Sequence, residues 1–116
     1  MADLLVDTDV FIDHLRGTRA LRPSRHRIRY SAITRYELFS GAAGQEQAVE
    51  RLLAPFGQLD IDTRVAERAG RIRRQTQLFT PDALIAATAL VHRLRLVTRD
   101  RRDFERVDRL RLAELG

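Results

Sequence analysis

Acidic residues at the ends of predicted strands and helices are the strongest candidates for chemistry in this chain. The segment LLVDTDVFID places three of them, Asp7, Asp9 and Asp13, directly after a short apolar run. An aspartate that ends a core strand has little structural purpose, because aspartate is rarely buried without a partner. Asp7 is therefore the first candidate for a functional role.

Three further parts of the chain carry acids at comparable positions. Glu37 falls in the first turns of a predicted helix, and Asp82 falls at the start of an apolar one. Asp100 follows a predicted strand, with Asp103 just beyond it. Taken singly, each has an ordinary explanation: a helix-dipole partner, a solvated border residue or an exposed charged turn. Their agreement in placement favours a shared site.

The order of predicted elements decides whether these acids can meet. Strands are predicted at residues 4–7, 27–31, 56–61, 94–98 and 109–112, and helices at 9–15, 34–43, 45–53, 62–75 and from 80 onward. This alternation indicates an α/β fold, with a central parallel sheet flanked by helices on both faces. Right-handed crossovers bring the carboxyl ends of the strands to one edge, where we expect the acids to converge.

Two helices have clear start signals. Asp62 is predicted to cap a helix whose Val65, Ala69 and Ile72 form a buried stripe, with arginines along the other side. Thr80 is predicted to cap the next helix, with Pro81 at its first position. That helix is apolar almost all round, so we expect it to be deeply buried.

The other two aspartates of the first segment have simpler interpretations. We expect Asp9 to cap the first helix or to support a ligand residue, rather than to bind a ligand directly. We expect Asp13 on the helix surface, within reach of Arg16.

Carboxylates that converge need a compensating charge or a proton. Two of them 4 Å apart repel by about 4 kcal/mol at an effective dielectric constant of 20. Either some are protonated or a divalent cation lies among them. The chain has no cysteine, and its three histidines are scattered. All-oxygen ligation therefore predicts Mg²⁺ or Mn²⁺ rather than zinc.

Length and composition favour one domain, residues 1–116, with enough apolar residues (44%) for a core. The longest apolar stretch, residues 83–91, is too short to span a membrane, and no export signal precedes it. The absence of cysteine agrees with a cytoplasmic location.

Every basic residue other than histidine is an arginine. The formal net charge is +5, and the chain contains no lysine, which excludes the P-loop lysine and Schiff-base chemistry. Arginines cluster at residues 16–29 and 93–111, and Arg64, Arg68 and Arg71 share one helix side. A solvated, salt-bridged surface is the ordinary explanation, but arginine forks also suit phosphate. An acidic metal site within such a surface is typical of a nuclease.

Four segments resemble PIN-domain ribonucleases of the VapC toxin type, in that family's order: LLVDTDVFIDHLRG, SAITRYELFSG, PDALIAATAL and LVTRDRRDFERV. The resemblance covers nearly the whole chain. It implies a PIN-like three-layer fold and a Mg²⁺- or Mn²⁺-dependent endoribonuclease that is the toxin of a type II toxin–antitoxin pair. It also implies a homodimer that is silenced by a small VapB-type antitoxin.

Position by position, the resemblance implies that Asp7, Glu37 and Asp82 are catalytic, metal-binding acids. Asp100 matches the fourth position best, and Asp103 is a weaker candidate that would bind through water.

Two expectations concern the surroundings of the site. Thr98 is expected to hydrogen-bond within it, as Asp9 is expected to support it. The connection QTQLFTP before Asp82 is shorter than in the family. It should shorten the preceding helix or tighten the approach to the site.

The sequence also allows other interpretations. Asp7-Thr8-Asp9 matches the D-x-D motif of haloacid-dehalogenase-type phosphatases, with Asp7 as nucleophile and Asp9 as acid/base. That family and the receiver domains expect a lysine, which is absent. A catalytically silent PIN-like binding module and a DNA rather than an RNA substrate are further alternatives. The arginines that would bind nucleic acid are not assigned.

Overall fold

Five parallel strands form one sheet at the centre of the computed structural model, which describes residues 2–21 and 25–115. The strands are β1 (Asp3–Val6), β2 (Arg27–Ser31), β3 (Gly57–Leu59), β4 (Arg95–Val97) and β5 (Leu112–Ala113). The helices of the described residues are α1 (Thr8–Leu15), α2 (Ala32–Ser40), α3 (Glu46–Leu53), α4 (Thr63–Thr76), α5 (Thr80–His92) and α6 (Arg101–Phe104). The strand order is β3-β2-β1-β4-β5.

The central strand β1 is covered on both faces, as a parallel sheet requires. Leu5 packs into a core built with α4 and α5, whereas Leu4 and Val6 pack on the other face with α1 and α3. On that second face Phe11 is fully buried and meets Tyr30 edge-on, with ring centroids 6.0 Å apart. The predicted fold class, a parallel sheet with helices on both faces, is confirmed.

The start of α4 agrees with its sequence signal. The Asp62 carboxylate accepts a hydrogen bond from the Val65 amide at 3.0 Å and so caps the helix. Val65, Ala69 and Ile72 are buried against the sheet layer, as predicted.

Two predicted caps are wrong. Asp7, not Asp9, caps α1, because the helix begins at Thr8 and the Thr8 amide donates to the Asp7 carboxylate. Phe79, not Thr80, is the N-cap residue of α5. The Ala83 amide donates to the Phe79 carbonyl at 3.0 Å, which makes this the first hydrogen bond of the helix. Pro81 therefore lies at the second helical position, where its missing N–H costs no hydrogen bond.

Several boundaries also differ from the predicted ones. Ser31 caps α2, so that this helix begins at Ala32 and ends at Ser40. The last strand is only Leu112–Ala113, because Arg109 takes a left-handed φ of 67° ahead of it. The short helix α6 has too few residues to show a periodic pattern in the sequence.

The connection between α4 and α5, just before Asp82, is short, and its expected effect on the helix or on the approach to the site stays a prediction. Helix α4 keeps 14 residues, and only three residues separate it from α5. Gln77 turns the chain with a φ of 63°. The Arg73 guanidinium donates to the carbonyls of Gln77 and Leu78 at 2.8 and 2.7 Å, which fastens this turn below the start of α5.

No helix in the described ranges, 2–21 and 25–115, is long and apolar enough to cross a membrane.

Candidate active site

Asp7 lies at the carboxyl end of β1 and is almost completely buried, with 5% of its surface exposed. Its Oδ1 accepts a hydrogen bond from the Thr8 amide and its Oδ2 one from the Thr98 hydroxyl, both at 2.7 Å. Burial, followed by the charge of Asp9, nevertheless raises the pKa of Asp7 to about 7. Without a cation nearby, Asp7 therefore carries a proton for much of the time at neutral pH.

Thr98 connects this carboxylate to the segment that follows β4. Its hydroxyl donates to Asp7, lies 3.3 Å from the Asp9 carboxylate, and accepts from the Asp100 amide at 3.0 Å. The Asp7 amide also donates to the carbonyl of Val97 at 2.9 Å. The pairing of β1 with β4 therefore fixes Asp7 next to the segment that begins at Thr98.

Glu37 is positioned by the residue that follows Asp7. The Thr8 hydroxyl lies 2.7 Å from Oε1 of Glu37, to which it donates, and 2.9 Å from the Thr34 hydroxyl. Thr8 and Thr34 are both buried, while Glu37 is half-buried on α2. The middle residue of the D-T-D sequence therefore aims the glutamate, a role that sequence reasoning missed.

Asp82, Asp100 and Asp103 form a compact acidic group. One carboxylate oxygen of each lies within 4.8 Å of the others. Burial, then the charges of Asp100, Glu37, Asp103 and Asp9, raises the pKa of Asp82 to about 6. Burial and the neighbouring Asp103 raise the pKa of Asp100 as well. Asp7 and Glu37 are not part of this group, but Asp82 interacts electrostatically with both of them.

The prediction for Asp13, a place on the helix surface and a pair with Arg16, is wrong. Its carboxylate is buried, and its partner is the Arg99 guanidinium, 2.9 Å away. The Arg99 amide donates to Asp9 at 3.1 Å, and Arg99 Nε lies 3.9 Å from the same carboxylate. Asp9 and Asp13 are four residues apart and so share one helix face. This spacing indicates from the sequence alone that the two carboxylates can share one cationic partner.

Replacing Arg99 by glutamine is predicted to lower the free energy of unfolding by about 1–2 kcal/mol, because the Asp13 carboxylate stays buried without its cation. The Arg99 side chain is 56% exposed, which moderates the effect. Urea denaturation of the metal-free protein measures it. Adding Asp13→Asn to Arg99→Gln should restore part of the loss, whereas Arg101→Gln should leave stability within about 0.5 kcal/mol. An Arg99→Gln protein as stable as the wild type would disprove this pairing role.

The donor set fits a hard divalent cation. The ligand atoms are carboxylate oxygens only, as Mg²⁺ and Mn²⁺ prefer. Oδ1 of Asp9 is buried and, among the described residues, has no hydrogen-bond partner. A cation would offset both the mutual repulsion of the acids and the burial that raises the pKa values of Asp7 and Asp82.

The fold and the site together define a class of protein. It is a parallel α/β domain with carboxylates at the carboxyl edge of its sheet. The PIN domain model matches residues 4–110. Ribonuclease VapC10 from Mycobacterium tuberculosis is 36% identical over 107 residues, covering 82% of this chain and 80% of that protein. The chain belongs to the PIN domain family and, within it, to the VapC group, as the four sequence segments predicted.

Solved structures agree with this assignment. A toxin–antitoxin complex from Klebsiella pneumoniae contains a chain that is 39% identical, with a TM-score of 0.73, over 87% of this chain and 89% of that one. A DNA-bound VapBC complex from Salmonella typhimurium contains one that is 28% identical, with a TM-score of 0.80, over the whole of both chains. Family membership removes the haloacid-dehalogenase and receiver-domain alternatives.

Proposed function

We propose that this single domain is the toxin of a type II toxin–antitoxin pair and a metal-dependent endoribonuclease that hydrolyses RNA phosphodiester bonds. The proposal is supported by the acidic group of Asp82, Asp100 and Asp103, whose carboxylate oxygens lie within 4.8 Å of one another, and by the electrostatic interaction of Asp82 with Asp7 and Glu37. The 36% identity to Ribonuclease VapC10 supports RNA, rather than DNA, as the substrate.

Asp7, Glu37, Asp82 and Asp100 would hold Mg²⁺ or Mn²⁺, and Asp103 would contribute through water. Bound there, the cation supplies activation of a water molecule and stabilisation of the negative charge that develops on the phosphate. Because the pKa of Asp7 is about 7 and that of Asp82 about 6, metal binding near or below these pH values displaces protons from them.

Neighbouring residues set the orientation of these carboxylates. Thr98 holds Asp7, and Thr8 holds Glu37, each through a hydrogen bond of 2.7 Å. Such hydrogen bonds to ligand carboxylates fix their orientation and are a normal requirement of a metal site. The Asp9 carboxylate lies within hydrogen-bond distance of the Thr98 hydroxyl, which supports a role in holding Thr98 rather than direct ligation.

The partners follow from the same proposal. Relatives of this chain occur in toxin–antitoxin complexes, one of them bound to DNA. We propose that a small VapB-like antitoxin silences this chain, that two copies associate as a homodimer, and that the protein acts on RNA in the cytoplasm.

Incubation of the purified chain with total cellular RNA tests the activity. Cleavage is expected with Mg²⁺ or Mn²⁺, and none with excess EDTA or with the antitoxin encoded beside the toxin gene. Sequencing of the cleaved ends would then define the substrate. Metal-independent cleavage would refute the proposed chemistry, and no cleavage of any RNA would favour the silent binding module.

A further inference from the structure

A polar groove runs along α4 and the second half of α5, outside the acidic cluster itself. One part has a volume of about 450 Å³ and a second part about 200 Å³. Both parts are lined by Arg68, Arg71, Leu90 and Arg109, so they form one continuous groove.

Five arginines line this groove: Arg64, Arg68, Arg71, Arg93 and Arg109. The first three follow the i, i+4, i+7 spacing that places side chains on one helix face. Two acids, Glu67 and Asp108, also line it. Within the described residues, none of the five guanidinium groups makes an ion pair or a side-chain hydrogen bond. This basic groove thus presents cationic groups that the fold itself does not use.

Arg93 and Arg109 have an unusual backbone. Their φ values are 57° and 67°, in the left-handed region that favours glycine or asparagine. Arg93 is the C-cap residue of α5, where a left-handed residue commonly ends a helix, so its conformation has a structural explanation. Both arginines line the groove.

The basic groove leads toward the acidic cluster. Thr76 lines its near end, and the Thr76 carbonyl accepts a hydrogen bond from Arg106 at 3.1 Å. The same guanidinium lies 3.4 Å from the Asp103 carboxylate. From Gln75 back to Arg64 the groove follows α4 for about 16 Å, at 1.5 Å per residue. A strand with its scissile phosphate at the acids could therefore continue along these arginines.

We propose that the basic groove binds the phosphate backbone of the RNA on one side of the cleavage site. This inference rests on the proposed ribonuclease function and extends it to the path of the substrate. A two-fold contact that paired this groove with itself in a second copy would set the same arginines against one another, so the charge of the groove favours RNA as its occupant. The unpaired guanidinium groups match phosphate in charge and geometry.

An Arg68→Gln/Arg71→Gln protein tests the proposal, with Arg25→Gln/Arg51→Gln as a control that loses the same charge from exposed positions elsewhere in the fold. The probe is an end-labelled pool of random-sequence single-stranded RNA, titrated without metal at several salt concentrations. We expect the groove variant to bind about tenfold more weakly at low salt, with a salt slope smaller by about 1.4, or 0.7 for each lost phosphate contact. The control should resemble the wild type.

Cleavage kinetics separate this inference from the proposed function. With metal, the groove variant should raise KM for long RNA more than KM for a short oligonucleotide, whereas the Arg25→Gln/Arg51→Gln control should cleave both like the wild type. Unchanged affinity and salt slope would overturn the inference even if the wild type cleaves RNA. Loss of antitoxin binding with intact RNA binding would also overturn it, by assigning the groove to a protein partner. RNA binding through the groove without any cleavage would refute the nuclease and leave the groove assignment standing.

Discussion

Asparagine at Asp7 or at Asp82 is expected to reduce RNA cleavage by about a thousandfold or more, equivalent to about 4 kcal/mol of transition-state stabilisation. Asparagine keeps the size of the side chain but removes the negative charge that a cation requires. Both residues are central to the electrostatics of the site, since the charge of Asp82 reaches Asp7 and four other carboxylates act on Asp82. The measurement is the rate of RNA cleavage at saturating metal.

Asp3→Asn is the matched control for this prediction. Asp3 begins the same strand that Asp7 follows, but it is exposed at the opposite edge of the sheet. Its substitution should leave cleavage unchanged. Comparison of Asp100→Asn with Asp103→Asn ranks the fourth ligand, and we expect the larger loss for Asp100. Cleavage by the Asp7 and Asp82 variants at the wild-type rate would remove the catalytic assignment.

Asp7→Asn is also expected to stabilise the metal-free protein above neutral pH. The folded-state pKa of Asp7 is about 7, against an ordinary value of 3.8. The folded state therefore holds more protons than the unfolded state between these values, and the free energy of unfolding falls as pH rises from about 4 to about 7. For Asp7 the fall amounts to at most about 4 kcal/mol.

The asparagine variant avoids this loss, because its side chain does not ionise. Its amide can accept from the Thr8 amide and donate to the Thr98 hydroxyl, so that the hydrogen bonds of Asp7 are kept. Urea denaturation with EDTA should show variant and wild type converging near pH 4 and separating by about 2 kcal/mol or more above pH 7. Mg²⁺ should narrow the gap by stabilising the wild type through binding. A constant difference across the pH range would contradict a buried, proton-holding Asp7.

The edge where the acids meet was predictable from the sequence because it depends on few and strong signals. Short β-rich runs alternate with helical ones, and a parallel arrangement sends every strand end to one side. Asp7 and Thr98 each follow a strand, so their proximity needed only the pairing of β1 with β4. The Asp62 cap and the buried stripe of α4 are equally local signals.

The Arg99–Asp13 pair was not predictable in the same way. It joins residues that are far apart in the chain, and it depends on how α1 packs beside the segment after β4. A local choice, pairing Asp13 with Arg16, was available in the sequence and is wrong. The role of Thr8 was not predictable either, because its hydrogen bond to Glu37 depends on the packing of α1 against α2.

Calorimetric titration of Mn²⁺ into the wild type and the Asp82→Asn variant tests the central claim most directly. The claim is that these carboxylates form one metal-binding centre. At about pH 6, where Asp7 is mostly protonated and Asp82 about half protonated, we expect saturable binding to the wild type with release of protons into the buffer. The variant should bind far more weakly. Equal binding with no proton release in either protein would contradict the account.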